Sequence, residues 1–349
     1  MNILIITQKI DKNDPVLGFF HGWVIEFSKL FKSVIVVCLE KGEHSFPSNV
    51  RVCSLGKESG VSRIKYIKNL FRYIWKYKNE YDNVFVHMNQ EYVLLVGWLW
   101  RILNKEVFLW RNHKQGSWKT RLAVLLSHKV FCTSNESYTA SFSKTEIMPV
   151  GIDTDHFKED TSVSRNQNSI CYVGRISPVK KIELLLSALG ELKSSNKEIP
   201  VVGIFGPVYD KNYFEVLKNQ VSEFGLGNNV HFKNALTYDE LPAIYSKYEV
   251  CVNMTSSGSY DKTILESASC NALPVVSNQT FAVEIGTELS TRIIFDEGSS
   301  VDLAKRIDEV LYMDEIKKKE IQQNISKYIL ENHSLKILVN KIIEHYSRK

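Results

Sequence analysis

The sequence predicts an α/β fold of two domains, each a parallel sheet flanked by helices. Short apolar runs alternate with amphipathic segments along the chain, which is typical of parallel strands joined by crossover helices. A polar stretch without apolar periodicity, residues 158–169, separates two such series. With 349 residues, 44% of them hydrophobic, the chain is long enough to build two cores.

Composition narrows the class of protein. The net charge of +5 is too small to indicate nucleic-acid binding, although it is compatible with an anionic substrate or membrane surface. The start, MNILIITQ, is predicted to be a strand and not a signal peptide, and the longest apolar run, Tyr92–Trp100, is too short to span a bilayer. Six scattered cysteines without a CxxC spacing predict reduced core residues of a cytoplasmic protein. They are Cys38, Cys53, Cys132, Cys171, Cys251 and Cys270.

The predicted elements follow from apolar runs of strand length and from segments of helical period. In the first half the strands are Asn2–Thr7, Ser33–Leu39, Asn83–His87, Glu106–Trp110 and Val130–Ser134, and the helices are Trp23–Phe31, Val61–Lys78, Tyr92–Leu103 and Asn135–Phe142. In the second half the strands are Ile170–Val173, Val201–Phe205, Val230–Lys233, Glu249–Met254, Leu273–Val276 and Thr291–Phe295, and the helices are Glu183–Leu192, Asn212–Phe224, Tyr238–Lys247, one from Asp261 or Lys262, Val301–Met313, Glu315–Leu330 and Asn332–Tyr346.

One stretch, residues 248–284, predicts a nucleotide pocket at the carboxyl end of a strand. Its loop carries small residues, among them Gly258 and Ser259, which let a ligand approach the backbone. Asp261 is placed to cap the following helix, Glu266 lies one turn inside it, and Asn271 suits a left-handed C-cap.

Two cations follow the first strand of the second half. Arg175 and Lys180 come after Gly174 and are five residues apart across a short turn, so both can approach one anion. A guanidinium fork and an ammonium together suit a diphosphate.

These motifs resemble those of family-four retaining glycosyltransferases, the glycosyl transferases group 1. The resemblance rests on LESASCNALPVVSN after Ile264, on the segment from Gly174 to Lys180, and on a linker motif from Met148 to Phe157. It implies the GT-B fold, in which two Rossmann-like domains enclose an interdomain cleft. We therefore expect domains at 1–163 and 164–331, and a terminal helix, 332–349, that packs back on the first domain.

The resemblance also implies the reaction. A sugar passes from a nucleotide-diphosphate sugar, UDP- or GDP-linked, to an acceptor hydroxyl with retention of configuration, and no further cofactor is expected. The Asp153-x-Asp155 pair lies inside the linker motif, and Arg175 with Lys180 can replace a divalent ion, so we predict transfer without a metal.

Several site residues are carried over by position. His113, past a strand end, is expected to contact the transferred sugar, and the turn Asn234, Ala235 and Leu236 to meet the base. Gly206, which ends another strand, is also assigned to the donor site. Gly18, His21 and Gly22 are expected at the acceptor side, although a tight turn and helix start explain that segment equally well. His87 is a weaker histidine candidate.

The sequence departs from the family at one position. The family signature is Glu, seven residues, Glu; Glu266 supplies the second carboxylate, but the first falls on Gly258. Asp261, with Lys262 and Thr263 beside it, is a candidate to reach the same sugar hydroxyls. A capping role alone explains Asp261 as well.

The most basic segment is residues 61–78, which carries no acidic side chain. Its cations Lys65, Lys68, Arg72 and Lys76 share helical spacing beside an apolar stripe of Ile64, Ile67, Phe71 and Ile74. Such a helix suits an anionic membrane, and hence a cytoplasmic protein peripheral on the inner face that acts on a glycan or lipid-linked acceptor. A surface helix docked on the sheet is the other interpretation.

Two further functions remain open on the sequence. A sugar-nucleotide epimerase of similar fold is one, but it needs acid and base groups that the predicted loops hardly supply. A catalytically inactive nucleotide-sugar-binding homologue is the other.

Overall fold

A computed structural model describes residues 1–256 and 261–347, and the chain forms two compact units. The first unit is Met1–Gly151 together with the segment from Leu335 onward, and the second is Ile152–Ser334. Each unit contains one sheet in which every pair of neighbouring strands is parallel.

The first sheet has seven strands in the order β3-β2-β1-β4-β5-β6-β7, and the second has five in the order β10-β9-β8-β11-β12. The strands of the first are β1 Asn2–Ile10, β2 Ser33–Lys41, β3 Val50–Ser54, β4 Asn83–His87, β5 Glu106–Trp110, β6 Lys129–Cys132 and β7 Thr145–Ile147. Those of the second are β8 Asn166–Val173, β9 Val201–Phe205, β10 Val230–Lys233, β11 Tyr248–Asn253 and β12 Leu273–Val276.

The helices are α1 Phe19–Leu30, α2 Arg63–Lys76, α3 Gln90–Ile102, α4 Trp118–Leu126, α5 Ile182–Ser194, α6 Lys211–Glu223, α7 Leu241–Lys247, α8 Lys262–Ser269, α9 Gln279–Ile285, α10 Thr287–Ile293, α11 Ser300–Leu311, α12 Glu315–Asn332 and α13 Leu335–Ser347. Helices α1 to α8 join these strands, α9 to α13 follow the last strand, and helices cover both faces of the first sheet. Alternate residues of β1 separate two cores, as the pleat requires. Leu4 and Ile6 pack with α2, α3 and α4, whereas Ile3 and Ile5 pack with α1 and α13.

Residues 152–163, which the sequence assigned to the first domain, pack on the second unit. Asp160 N donates to Ser246 Oγ (2.9 Å), His156 Nε2 lies 3.1 Å from the Tyr238 carbonyl, and Phe157 is buried. Arg165 then binds the Tyr248 and Cys270 carbonyls at 3.2 Å each. The division therefore falls at Gly151, because the polar segment finds its hydrogen-bond partners in the second unit. The last helix likewise begins at Leu335, since α12 continues to Asn332.

Several other expectations differ from the structure. Helix α1 begins at Phe19 and not Trp23, because burying Phe20 together with Trp23, Val24 and Phe27 extends the helical stripe by a turn. The predicted strand Thr291–Phe295 is wrong: α10 occupies most of it, and only Ile294 makes an isolated bridge, to Val276. Strands β3 and β7 and helices α4 and α9 were not predicted, and the segment predicted as the helix Asn135–Phe142 contains only a short 3-10 turn, Tyr138–Ser141.

Two predictions, on the cysteines and on the end of α8, are confirmed. All six cysteines are free thiols in buried positions. Asn271 has a φ of 60°, the left-handed conformation predicted at the end of α8. Within the described ranges, no helix is both long and apolar enough to cross a membrane.

Candidate functional site

Four loops of the second unit lie side by side at the carboxyl edge of its sheet. Gly174 follows β8, Gly206 follows β9, Asn234 follows β10 and Thr255 follows β11. These four strands are neighbours in the sheet, so their loops meet at one edge. Parallel α/β sheets bind their ligands at this edge.

The loops after β8 and β9 touch through their backbones. Gly174 N donates to the Phe205 carbonyl (2.9 Å), and Ile176 N donates to the Pro207 carbonyl (2.9 Å). A Cβ at Gly206 would lie 1.9 Å from the Gly174 carbonyl oxygen, so only glycine fits there. Gly206 thus has a packing role, which the sequence did not reveal.

Lys180 and Asp261 form an ion pair at this edge. Lys180 Nζ contacts Asp261 Oδ2 and donates to Thr255 Oγ1 (3.3 Å), while Thr255 Oγ1 donates to Asp261 Oδ2 (3.1 Å). The lysine and aspartate side chains are 15% and 14% exposed, so solvent screens their attraction only in part. Sequence reasoning placed both residues in the site but missed the pairing.

The second carboxylate oxygen of Asp261 caps α8. Asp261 Oδ1 accepts from Thr263 N (3.3 Å) and Thr263 Oγ1 (3.1 Å), and Asn253 Nδ2 donates to the same hydroxyl (3.0 Å). Burial alone would raise the pKa of Asp261, but the Lys180 ammonium and hydrogen bonds from Asn253 and Thr263 together outweigh it and hold that pKa well below its ordinary value. Both oxygens of an ionised carboxylate are therefore engaged within the protein.

Glu266 and Lys262 are neighbours one turn apart on α8. Glu266 is 6% exposed, and burial raises the pKa of its carboxyl, with the charge of Lys262 opposing and that of Asp261 adding to the rise. Burial lowers the pKa of Lys262, opposed by Glu266. Each group thus offsets part of the cost of burying the other.

Arg175 is exposed, and its guanidinium carbon lies 5.3 Å from the centre of the Tyr209 ring. Its carbonyl accepts from Tyr172 Oη (3.2 Å). Burial raises the pKa of Tyr172, and the Asp261 charge raises it further, so this phenol lies near both the Arg175 backbone and the Asp261 carboxylate. Tyr172 and Tyr209 carry no sequence motif and were missed.

The base-side turn leads into a capped helical turn. Asn234 and Ala235 are exposed and Leu236 is half-buried. The next residue, Thr237, forms a capping box with Glu240, which fixes the end of the turn.

The remaining donor-loop predictions, Gly258 and Ser259, lie outside the described residues. Over residues 1–256 and 261–347, no group of three His, Cys, Asp or Glu side chains is arranged to hold a metal ion.

The histidine candidates of the first unit have different surroundings. His113 is exposed in the loop after β5, with Nδ1 3.0 Å from Gln115 N and its carbonyl accepting from Tyr138 N (2.9 Å). His87 is buried, stacks on Phe20 at 4.1 Å, and belongs to the core.

The acceptor-side glycines belong to a helix start. Gly18 is the N-cap residue of α1 with φ −54°, and His21 and Gly22 lie inside the helix. His21 Nε2 accepts from Ser45 N (3.2 Å), and its ring stacks on Phe46 at 4.3 Å. Gly18, His21 and Gly22 therefore belong to the first turn of α1.

Two parallel α/β units, the second with converging loops at its carboxyl edge, define the GT-B class predicted from the sequence. Residues 153–329 match the family described as glycosyl transferases group 1, and the chain belongs to that family. The predicted fold and enzyme class, a glycosyltransferase, are thereby confirmed.

Individual relatives are distant. An uncharacterized glycosyltransferase of Methanocaldococcus jannaschii is 21% identical over 185 residues, which cover 53% of this chain and 46% of that protein. The match thus spans less than half of the relative. HepE of Anabaena, solved with UDP and glucose, is 18% identical over the full length of both chains with a TM-score of 0.78. Sucrose-phosphate synthase of Thermosynechococcus elongatus is 15% identical, with a TM-score of 0.77, and the match covers 100% of this chain and 98% of that protein's chain.

Proposed function

We propose that this protein transfers a sugar from a nucleotide-diphosphate sugar to an acceptor hydroxyl, with retention of configuration and without a divalent metal. The observation that carries the proposal is the Lys180–Asp261–Thr255 cluster at the carboxyl edge of the second sheet, in a chain of the glycosyl transferases group 1 family. The cluster fixes a cation where parallel sheets take phosphorylated ligands.

Departure of the nucleoside diphosphate is the step that this site assists. The bond from the anomeric carbon to the diphosphate oxygen breaks, and negative charge grows on the leaving phosphate. Lys180, fixed by two acceptors, and Arg175, exposed five residues earlier in the same loop, supply positive charge to it. In this proposal the two cations do the work that a divalent ion does elsewhere.

Attack by the acceptor completes the reaction. The acceptor oxygen bonds to the anomeric carbon on the face that the phosphate leaves, and its proton passes to a leaving-group phosphate oxygen. No protein nucleophile is needed in this sequence of events, which accounts for retention.

Binding roles follow from position. We assign Glu266 to the ribose hydroxyls, the Asn234 turn to a uracil or guanine base, and His113 to the transferred sugar. HepE, a protein of the same fold, is solved with UDP, which makes UDP the first donor nucleotide to try.

Asp261 acts on Lys180 in this proposal. Because its oxygens already bind Lys180, Thr255 and Thr263, we assign it to positioning the cation and capping α8.

The acceptor and place of action are proposals from the sequence. We assign an acceptor in cell-surface glycan or glycolipid synthesis, and a cytoplasmic location at the inner face of the membrane. A lipid-linked acceptor suits the basic surface of residues 61–78.

Incubation with a panel of radiolabelled UDP- and GDP-sugars, with and without EDTA, tests the function. We expect transfer or slow donor hydrolysis with one donor, unchanged by EDTA, and an α-linked product from an α-linked donor by NMR. Loss of activity with EDTA contradicts the metal-free mechanism, and an inverted product contradicts retention.

Nucleotide binding is measured separately by the shift in melting temperature with UDP or GDP. A shift without transfer or hydrolysis of any donor identifies the inactive binding homologue. Isomerised donor without transfer identifies the epimerase.

A further inference from the structure

Three helices of the first unit expose apolar side chains on one continuous layer. Helices α2, α3 and α4 pack on the same face of the seven-stranded sheet. Each outward stripe carries one tryptophan and two aliphatic residues. They are Ile64, Ile67 and Trp75 on α2, Leu95, Trp98 and Ile102 on α3, and Trp118, Leu122 and Leu125 on α4.

The stripes are held next to one another. Gly97 of α3 lies against α4, where an added Cβ would be 3.2 Å from Leu126 Cβ, and Arg101 Nη2 of α3 donates to the Leu125 carbonyl (2.6 Å). Tyr81 links α2 to α3, because its hydroxyl accepts from Trp100 Nε1 (3.2 Å) and donates to the Ile74 carbonyl (3.4 Å).

Exposure is selective for this face. Of the six tryptophans, Trp75, Trp98 and Trp118 are 56%, 49% and 70% exposed, and all three lie here. The helices on the other face of the same sheet, α1 and α13, expose only Leu30 among the large hydrophobic side chains of the described residues. The structure also leaves Ile64 and Ile67 outward, although the sequence placed them in a stripe that could dock on the sheet.

The charge on this layer is predominantly positive. The three helices carry eight Lys and Arg residues and a single acidic one, Glu91. Tryptophan with surrounding Lys and Arg is the composition of a protein surface at a membrane–water interface, where indole rings lie among headgroups.

We propose that the outer layer of α2, α3 and α4 docks on an anionic lipid bilayer. A protein partner is less suited, since interfaces are depleted in lysine and this layer carries Lys65, Lys68, Lys76 and Lys119. The proposal concerns a surface of the first unit and does not depend on the transfer reaction.

The test is co-sedimentation of the full chain with vesicles of 30% phosphatidylglycerol in phosphatidylcholine and with pure phosphatidylcholine. We expect binding to the anionic vesicles that weakens with salt. Changing Lys65, Lys68, Arg72 and Lys76 to Gln is expected to lower affinity at least about tenfold. Trp98→Ser with Trp118→Ser is expected to lower it by a similar factor, because insertion of the rings is lost.

The matched controls lie on the opposite face: Lys336→Gln with Lys341→Gln, and Leu30→Ser, which are expected to bind like the parent. Brominated lipid is expected to quench tryptophan fluorescence, less so in the Trp98/Trp118 variant. Equal binding to neutral vesicles, or loss in the α13 controls, overturns the proposal. The proposal is also overturned if the parent protein does not bind vesicles and instead forms a dimer that Trp98→Ser with Trp118→Ser dissociates. Transfer to a water-soluble acceptor is expected to be the same in every variant, which separates this proposal from the transfer reaction.

Discussion

Two lysine–carboxylate pairs lie at opposite ends of strand β11 and serve different purposes. At its start, Lys318 Nζ binds Glu249 Oε1 (2.5 Å), the Leu311 carbonyl (2.8 Å) and Glu315 Oε1 (2.9 Å). Beyond its end, Lys180 binds Asp261 and Thr255. The Lys318 pair is enclosed by protein contacts, whereas the Lys180 pair is accessible to a ligand.

The difference lies in the count of acceptors and in exposure. An ammonium has three donors, and Lys318 uses all of them on protein oxygens at 7% exposure. Lys180 binds two oxygens of the described residues and is 15% exposed, at the edge where ligands bind. A buried pair with every donor used stabilises a fold, whereas one with a donor to spare can still bind an anion.

The largest effect is expected from opening the closed pair. Lys318→Met leaves the Glu249 carboxylate buried without its cation, so the free energy of unfolding should fall by about 3–5 kcal/mol. Urea denaturation measures it, with the exposed Lys319→Met as control. Adding Glu249→Gln to Lys318→Met should restore part of the loss, and an unchanged midpoint in the single variant would contradict the comparison.

Lys180→Gln should lower the rate of transfer strongly and the stability only a little, the reverse of Lys318→Met. The rate of transfer is expected to fall about 100- to 1000-fold, the range for losing one preorganised donor. Stability should fall less than in Lys318→Met, because Asp261 keeps its bonds from Thr255 and Thr263. Single-turnover kinetics and urea midpoints measure the two effects. Lys181→Gln, whose ammonium pairs with Glu297, is the neighbouring control; a large stability loss with normal transfer in Lys180→Gln would make both pairs structural.

Asp261→Asn sharpens the role of the anion at the accessible end. The amide keeps a cap for Thr263 N but loses the charge that holds Lys180, so kcat/KM should fall about tenfold. The ratio of kcat/KM for two donor sugars should stay constant, because the Asp261 oxygens are already engaged. A changed ratio would instead assign Asp261 to the sugar hydroxyls.

The smallest effect concerns Glu266 and pH. Burial raises the pKa of this carboxyl, so its ionised fraction grows as pH rises through that raised value. Ribose hydroxyls donate to the ionised form, and UDP affinity should therefore increase from pH 5 to 8. Glu266→Gln should bind UDP about tenfold more weakly at pH 8. Calorimetric titration of both proteins across this range removes the contribution of the phosphate itself; parallel pH profiles would exclude Glu266 from the nucleotide site.

Local patterns were sufficient for much of the fold. Strands β4, β5, β9 and β10 have the predicted bounds, because each is a short apolar run between polar or turn-forming residues. The N-cap at Asp261 and the left-handed Asn271 were also predictable, since both depend on neighbours in the chain.

Contacts between residues that are far apart in the sequence could not be predicted. Lys180 and Asp261 are 81 residues apart, and no periodicity relates them. The misassigned strand Thr291–Phe295 has the β-branched composition of a strand, but α10 includes its first three residues, and only Ile294 bridges to Val276. The local composition therefore indicated neither the Lys180–Asp261 pair nor helix α10.

The last helix has a consequence for the timing of synthesis. Tyr346 stacks on Phe108 at 3.8 Å, and its hydroxyl donates to the carbonyl of Val84, 262 residues earlier. At 5–20 residues per second, roughly 13–50 s pass between translation of these two partners. For most of that interval Phe108 and Phe131 lack the helix that packs on them, so the core on this face of the first sheet is completed only after the second unit has been synthesised.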